Sequence, residues 1–88
     1  MKAHIKNYLD YYNIGEQDVV DCEYCGKQAR INNGHQIHHI VFKSQGGKDN
    51  IENLMCLCFN CHDRAHFHCL PSEKLTKSEL TEIHKRNL

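Results

Sequence analysis

The 88-residue sequence lacks several common features, and each absence excludes a class of protein. It has no tryptophan and one proline, and 40% of its residues are apolar, so any hydrophobic core is small. No segment approaches the roughly 20 apolar residues of a transmembrane helix, and residues 1–12 contain no signal-peptide core. We therefore expect a single small domain that is neither secreted nor embedded in a membrane.

The sequence also lacks a net charge, since it has 11 basic and 11 acidic residues. This balance excludes a polycation that coats nucleic acid through charge alone. The charge is unevenly distributed, however. Residues 1–26 are net negative, whereas residues 27–48 contain four basic residues and no acidic one. We therefore expect the middle of the chain to face an anionic partner.

Cysteine and histidine are abundant, with six and eight copies. A core this small usually needs disulfides or a metal ion for stability, and without an export signal paired cysteines favour metal binding. Cys22/Cys25 and Cys58/Cys61 each have the spacing with which two thiolates converge on one ion. The two pairs predict a closed structural zinc site. The alternative is that these cysteines are buried apolar residues, redox-active thiols or parts of a disulfide scaffold.

Hydrophobic spacing and turn residues predict mixed α and β structure. Apolar residues recur at helical spacing in residues 2–12, which predicts an N-terminal helix. Residues 32–35, Asn-Asn-Gly-His, separate two strand-like runs at 28–31 and 36–41 and predict a hairpin or a tight loop. A second short strand is expected over residues 53–57.

The C-terminal third is predicted to be helical. Residues 58–68 should form one helix, which Pro71 should end. Thr76 and Glu79 have the spacing of a capping box, so a last helix is expected over residues 76–86.

Four histidines have a spacing that suits a second metal site. His62 and His66 are four residues apart on a predicted helix, so both rings can reach one ion from the same face. Adjacent residues of a strand point to opposite faces. We therefore expect His38 and His39 to perform different tasks.

These residues together resemble the motif of the HNH endonucleases, and of their small four-cysteine members in phages and prophages in particular. The similarity covers about residues 22–66 and includes Cys22-Glu-Tyr-Cys25-Gly26, Ile37-His38-His39-Ile40, Gly46-Gly47-x-Asp49, Asn53-Leu54 and Leu57-Cys58-x-x-Cys61-His62-x-x-x-His66. It implies an α+β, treble-clef-like ββα-metal fold in which a hairpin and a helix grip a divalent ion. With the length of the chain, it predicts one nuclease domain over residues 1–88, with its core at 22–68, in the cytoplasm of a bacterial host or a phage-infected cell.

The resemblance also implies roles for individual residues. His39 corresponds to the general base, and Asn53 to the residue whose hydrogen bonds hold the loop between the two strands. His38 and His62 correspond to ligands of the catalytic ion, and His66 to a further ligand. The family and the imidazole-rich ligand set leave the ion open among Mg²⁺, Mn²⁺, Ni²⁺, Co²⁺ and Zn²⁺.

DNA is the expected partner, and basic side chains are the expected phosphate contacts. Lys43 and Lys48 lie in the loop that follows the histidine pair, and Arg30 and Arg64 are further candidates. A chain with no net charge should bind DNA weakly as a monomer. A protein partner or a homodimer could supply the remaining affinity.

A second function class is a non-catalytic zinc module that binds nucleic acid or protein. Such a module needs the four thiolates, but it gives no reason for the four histidines. The sequence therefore favours a metal-dependent DNA endonuclease or nickase.

Overall fold

The computed structural model describes residues 2–31 and 33–88. Its helices are α1 (Ala3–Tyr12), α2 (Phe59–Ala65) and α3 (Lys77–Asn87). Its strands are β1 (Val19–Asp21), β2 (Gln28–Ile31), β3 (Gly34–His39) and β4 (Leu54–Cys58). Short 3-10 turns lie at Lys43–Gln45, Ile51–Asn53 and Pro71–Glu73.

The four strands form one sheet in the order β1-β2-β3-β4. The β1/β2 and β3/β4 pairs are antiparallel. The β3/β4 register places His38 opposite Met55 and His39 opposite Leu54. The β3–β4 hairpin is followed directly by α2, and this arrangement confirms the predicted α+β class and is consistent with the ββα-metal fold.

Strand β4 is buried along its whole length because the sheet carries helices on both faces. Leu54 and Cys56 join an apolar cluster with Ile5 and Leu9 of α1. Met55, Leu57 and Cys58 join a second cluster under α2 and α3, with Cys61, Ala65, Leu75 and Leu80. A strand covered on both faces is apolar throughout instead of alternating. The sheet therefore has an α1 face and an α2/α3 face.

Glu23 joins the two flanking helices to the sheet. Its carboxylate accepts hydrogen bonds from Tyr8 Oη of α1 at 2.7 Å and from His84 Nδ1 of α3 at 2.7 Å. It also accepts one from the Cys56 backbone N–H at 2.9 Å. Both terminal segments are thus attached to the loop that carries Cys22 and Cys25.

Of the two alternatives predicted for residues 32–35, the hairpin is wrong, because the strands on either side are parallel and not antiparallel. Strands β2 and β3 pair in parallel, with Arg30 opposite Gly34 and Ile31 opposite His35. Each of these two strands pairs over more residues with an antiparallel partner on its other side, which is β1 for β2 and β4 for β3. Asn32, which belongs to the expected turn, lies outside the described residues.

Helix α2 is shorter than predicted, and Pro71 does not end it. Cys58 precedes the helix as its N-cap, with Sγ accepting from the Cys61 N–H at 3.4 Å. The helix ends at Ala65, because Phe67 adopts a left-handed conformation with φ of 63°. Pro71 instead begins a 3-10 turn, where its missing N–H removes no helical hydrogen bond.

The terminal helices agree closely with the expected ranges. In α1, Ile5, Tyr8 and Leu9 are the buried residues, as the helical spacing predicts. At the start of α3, Thr76 Oγ1 accepts from the Glu79 N–H at 3.2 Å. Within residues 2–31 and 33–88, no helix combines the length and apolar character needed to cross a membrane. The assignment of the whole chain to one nuclease domain stays a prediction.

Candidate metal centres and active-site cleft

The four paired cysteines converge at one point. All four Sγ atoms, from Cys22, Cys25, Cys58 and Cys61, lie within 4.8 Å of one another, and those of Cys25 and Cys58 are 3.6 Å apart. A tetrahedral Zn–S₄ centre has sulfur atoms about 3.8 Å apart, given Zn–S bonds of about 2.3 Å. The described residues thus have the geometry of a structural zinc site.

The electrostatics of the cluster also fit a bound cation. Burial and the neighbouring thiols raise the pKa of Cys61. Four thiolates this close would repel one another without a positive ion between them. Cys56, by contrast, is fully buried in the α1-side core, as expected for a residue outside the metal set.

Three histidines form a second cluster beside α2. One ring nitrogen from each of His38, His62 and His66 lies within 4.8 Å of the others. The Nε2 atoms of His62 and His66 are 3.2 Å apart, close to the separation of about 3.3 Å between two imidazole nitrogens on a tetrahedral zinc ion. Side chains four residues apart share one face of α2, and His38 faces them from β3.

The protonation state of His38 suits metal binding. Burial, reinforced by the charges of His62 and His66, lowers the pKa of His38 to about 3. The residue is 2% exposed, and with this lowered pKa its ring is neutral at pH 7. Its Nε2 is buried and has no hydrogen-bond partner within the described parts of the chain. A buried polar atom without a partner is costly, and a bound cation would supply the missing interaction.

His39 belongs to a different group of residues. Its Nε2 lies 2.7 Å from Asp49 Oδ1, and its ring centroid is 4.7 Å from that of His4 on α1. The cause is strand alternation: His39 lies on the α1 face of β3 and His38 on the α2 face. The expectation that the two adjacent rings separate is confirmed.

The His39–Asp49 hydrogen bond fixes a proton position. The bond from His39, together with the Lys43 ammonium 3.3 Å from Asp49 Oδ2, holds the pKa of Asp49 below its usual range. An ionised carboxylate only accepts hydrogen bonds, so His39 Nε2 is the donor. In the neutral ring, Nδ1 is then the nitrogen with a free lone pair.

Asn53 holds the loop that connects β3 to β4. Asn53 was expected to be the first residue of this strand, but it is the last residue of the turn before β4. Its Oδ1 accepts from the Val41 N–H at 2.7 Å, and its Nδ2 donates to the carbonyls of Val41 and Lys48 at 3.0 and 2.9 Å. These three bonds bring the two ends of the loop together.

Gly47 is required by the same loop. A Cβ at this position would lie 1.7 Å from the Val41 carbonyl oxygen, which is far inside van der Waals contact. Its own N–H donates to the Phe42 carbonyl at 2.9 Å. The Gly-Gly sequence therefore allows the backbone to fold against itself beside the two histidine clusters.

His39 and the cluster of His38, His62 and His66 line one cleft of about 360 Å³. Its lining residues are Ile37, His38, His39, Phe42, Lys43, Ser44, His62 and His66. The Phe42 ring stacks on His66 at 4.9 Å with an interplanar angle of 10°. Lys77, the first residue of α3, lies over the Phe42 ring, with its Nζ 5.5 Å from the ring centroid. Two lysines, Lys43 and Lys77, thus flank the cleft.

The other expected basic residues differ in their surroundings. Lys48 and Arg30 are exposed, the former in the β3–β4 loop and the latter on β2. Arg64 is held within the protein, since its Nε donates to the Glu73 carbonyl at 2.7 Å and its guanidinium lies 5.2 Å from the Tyr24 ring.

A larger cleft, of about 600 Å³, lies elsewhere among α1, β1 and the end of α3. Its walls include the carboxylates of Asp18, Asp21 and Glu23. These charges would repel a polyanion. The smaller cleft is therefore the better candidate site for an anionic substrate.

Comparison with known proteins gives a consistent family. A family model described as HNH endonuclease matches residues 22–68. The type IV methyl-directed restriction enzyme EcoKMcrA of Escherichia coli K12 is 41% identical over 71 residues, which is 75% of this chain and 26% of that protein. Probable mobile endonuclease C of Enterobacteria phage T4 is 33% identical over 58 residues, or 66% and 28% of the two chains.

Anaredoxin of Nostoc sp. PCC 7120 is 38% identical over 45 residues, or 51% of this chain and 55% of that protein. This chain spans only about a quarter of the length of the restriction enzyme and the mobile endonuclease. No solved structure matches the chain significantly.

Proposed function

This chain belongs to the HNH endonuclease family, and we propose that it is a metal-dependent endonuclease or nickase that hydrolyses DNA phosphodiester bonds. The observation that carries the proposal is that one cleft is lined both by the cluster of His38, His62 and His66 and by His39. One group has the geometry of a metal site, and the other is a histidine oriented by a carboxylate. The names of the restriction enzyme and the mobile endonuclease support the same activity.

The two metal-binding clusters would serve different purposes. We assign a structural Zn²⁺ to Cys22, Cys25, Cys58 and Cys61, whose closed ligand set leaves no position for substrate. His38, His62 and His66 would hold the catalytic ion, chosen among Mg²⁺, Mn²⁺, Ni²⁺, Co²⁺ and Zn²⁺. Such an ion supplies positive charge to the phosphoryl and leaving oxygens.

His39 is the proposed general base. Its Nδ1 lone pair would accept the proton of the attacking water while Nε2 donates to Asp49. A positioned imidazole is the side chain that most often accepts a proton in such a step. Asn53 is a positioning residue, because its three hydrogen bonds hold the loop that begins just after His39 and contains Asp49.

Basic residues around the cleft would hold the DNA backbone. Lys43 lines the cleft, Lys77 lies over the Phe42 ring of its wall, and Lys48 is exposed in the adjoining loop. Arg30 is a more distant candidate. Arg64 is a weaker one, because its guanidinium is already engaged by Glu73 and Tyr24. A homodimer or a protein partner would add affinity, and a cytoplasmic location agrees with such a substrate.

The proposal is tested by incubating the purified protein with supercoiled plasmid and each of the five metal ions in turn. We expect metal-dependent conversion to the nicked or linear form. His39→Ala should abolish it, with a rate loss of about 10²- to 10⁴-fold. His68→Ala, which removes an exposed histidine outside the cleft lining, is the matched control and should cleave normally. Tight DNA binding without cleavage in any metal would instead identify a non-catalytic zinc module.

A further inference from the structure

His4 brings a third group of potential metal ligands into the structure. One atom from each of His4, His39 and Asp49 lies within 4.8 Å of the others. His4 is in the first turn of α1 and outside the segment that matches the HNH family, residues 22–68. It meets His39 because α1 packs on the face of β3 that carries this ring.

The chemistry of this group suits a borderline transition-metal ion. Two imidazoles and one carboxylate form a ligand set that is common for Zn²⁺ and similar ions. Mg²⁺ prefers oxygen ligands in octahedral geometry, so this group should discriminate against it.

We propose that His4, His39 and Asp49 form a further cation site, selective for Zn²⁺-like ions, whose occupation inhibits the nuclease. The inhibitory part rests on the proposed role of His39 as base, whereas the binding part does not. A neutral imidazole has one N–H and one lone pair. An ion bound to Nε2 of His39 would need a lone pair on that nitrogen. The single proton of the ring would therefore leave Nε2 and return from solvent to Nδ1. The nitrogen that should accept the proton of water would then be blocked.

Lys43 sets the affinity of this site. Its Nζ lies 3.3 Å from Asp49 Oδ2, and its side chain is 63% exposed. A bound cation would repel this ammonium and take over the carboxylate. Since an exposed ion pair is weak, Lys43 should reduce cation affinity without preventing binding. Removal of the Lys43 charge should therefore raise the cation affinity of the site, whereas removal of His4 should lower it.

The binding part is tested by equilibrium dialysis of the full chain against buffered Zn²⁺, followed by elemental analysis. The three ligand groups predict three bound ions in the wild type and two in His4→Gln. Lys43→Gln should fill the third site at a lower free Zn²⁺ concentration. Lys6→Ala, which removes an exposed side chain from the same helix, should leave the count unchanged. Cobalt–thiolate absorption and circular dichroism verify that each variant retains the cysteine site and the fold.

The inhibitory part is tested by adding Zn²⁺ to plasmid nicking supported by Mg²⁺ or Mn²⁺, with each variant normalised to its own zinc-free rate. Inhibition should require at least about tenfold more Zn²⁺ in His4→Gln than in the wild type. Equal zinc counts in the two proteins overturn the site. A lost ion with unchanged inhibition overturns the inhibitory role. If the wild type binds the third ion but nicks under no condition, the site stands and the proposed nuclease function fails.

Discussion

Asp49 Oδ1 accepts a hydrogen bond from His39 Nε2 over 2.7 Å, although Asp49 lies ten residues later in the chain, in the loop between β3 and β4. This contact orients the imidazole and determines which nitrogen is free. It links His39 to a carboxylate for which the sequence alone had predicted no role.

Replacement of Asp49 by asparagine should reduce kcat by at least about tenfold with little change in KM. An asparagine amide can donate to Nε2, which would put the ring proton on Nδ1 and remove the acceptor. Glu52→Gln is the control, because Glu52 is an acidic residue of the same loop whose carboxylate accepts a hydrogen bond from Asn50 and not from His39. Steady-state nicking kinetics of both variants measure the effect. Wild-type kcat in Asp49→Asn would show that this hydrogen bond does not orient the base.

Asn53→Asp should slow cleavage while retaining the metal ions. The aspartate keeps an oxygen that can accept from the Val41 N–H, but it loses the two donations to the Val41 and Lys48 carbonyls. The loop would then be held at one end only, and His39 would lose its fixed orientation. Asn50→Ala is the control, since the Asn50 amide donates to Glu52 and not to the backbone carbonyls that Asn53 holds. A variant that retains full activity would remove Asn53 from the positioning role.

Lys77→Gln should weaken DNA binding and reduce its salt dependence. If Lys77 contacts one phosphate, the slope of log K against log salt should fall by about one unit. Binding is measured in a His39→Ala background so that the DNA stays intact. Lys85→Gln, at the far end of the same helix, is the control and should have little effect. Equal salt slopes for the two variants would contradict a phosphate contact at Lys77.

His84 should make stability depend on pH. Its Nδ1 donates to Glu23 and its Nε2 to the Ile51 carbonyl at 2.6 Å, so both nitrogens carry protons. Burial opposes this charge, but those bonds and the carboxylates of Glu23 and Glu52 raise the pKa of His84. A raised pKa stabilises the fold below the unfolded value of about 6.5, and this contribution is lost as pH rises through the folded value. Tyr8 also faces Glu23 from α1 but remains neutral over this range.

Denaturant unfolding of the wild type and His84→Gln from pH 5.5 to 9 measures the contribution of this pair. Removal of one partner of a buried pair costs about 3 kcal/mol in the free energy of unfolding. The difference between the two proteins should be largest at low pH and shrink as pH rises. A difference that grows with pH would contradict a protonated His84.

The sequence predicted those features that follow from local spacing. The Cys-x-x-Cys pairs, the i, i+4 histidines and the opposite directions of His38 and His39 all follow from the geometry of a turn, a helix and a strand. The end of α2 was missed because the left-handed conformation of Phe67 has no marker such as glycine in the sequence. A hairpin at residues 32–35 was wrongly predicted because strand partners are determined by the whole sheet and not by one Asn-Gly dipeptide.

The remaining site features depend on long-range packing. His4 reaches His39 only because α1 covers one face of the sheet, and Lys77 reaches Phe42 across 35 positions of sequence because α3 begins beside the cleft. Asp49 lies in the motif, but its partner could not be inferred without the fold of the loop. The signal available in the sequence was limited to the presence of an acidic residue within the motif and of a histidine, His4, in the predicted N-terminal helix.

The central claim is that His62 holds the catalytic ion and His39 does not. It is tested most directly by counting bound Zn²⁺ in a His4→Gln background, where the proposed inhibitory ion is absent, and by measuring nicking in the same proteins. In this background, His62→Ala should remove one ion and abolish nicking. His39→Ala in the same background should abolish nicking and leave the ion count unchanged. Loss of an ion in the His39 variant, or its retention in the His62 variant, would contradict the account.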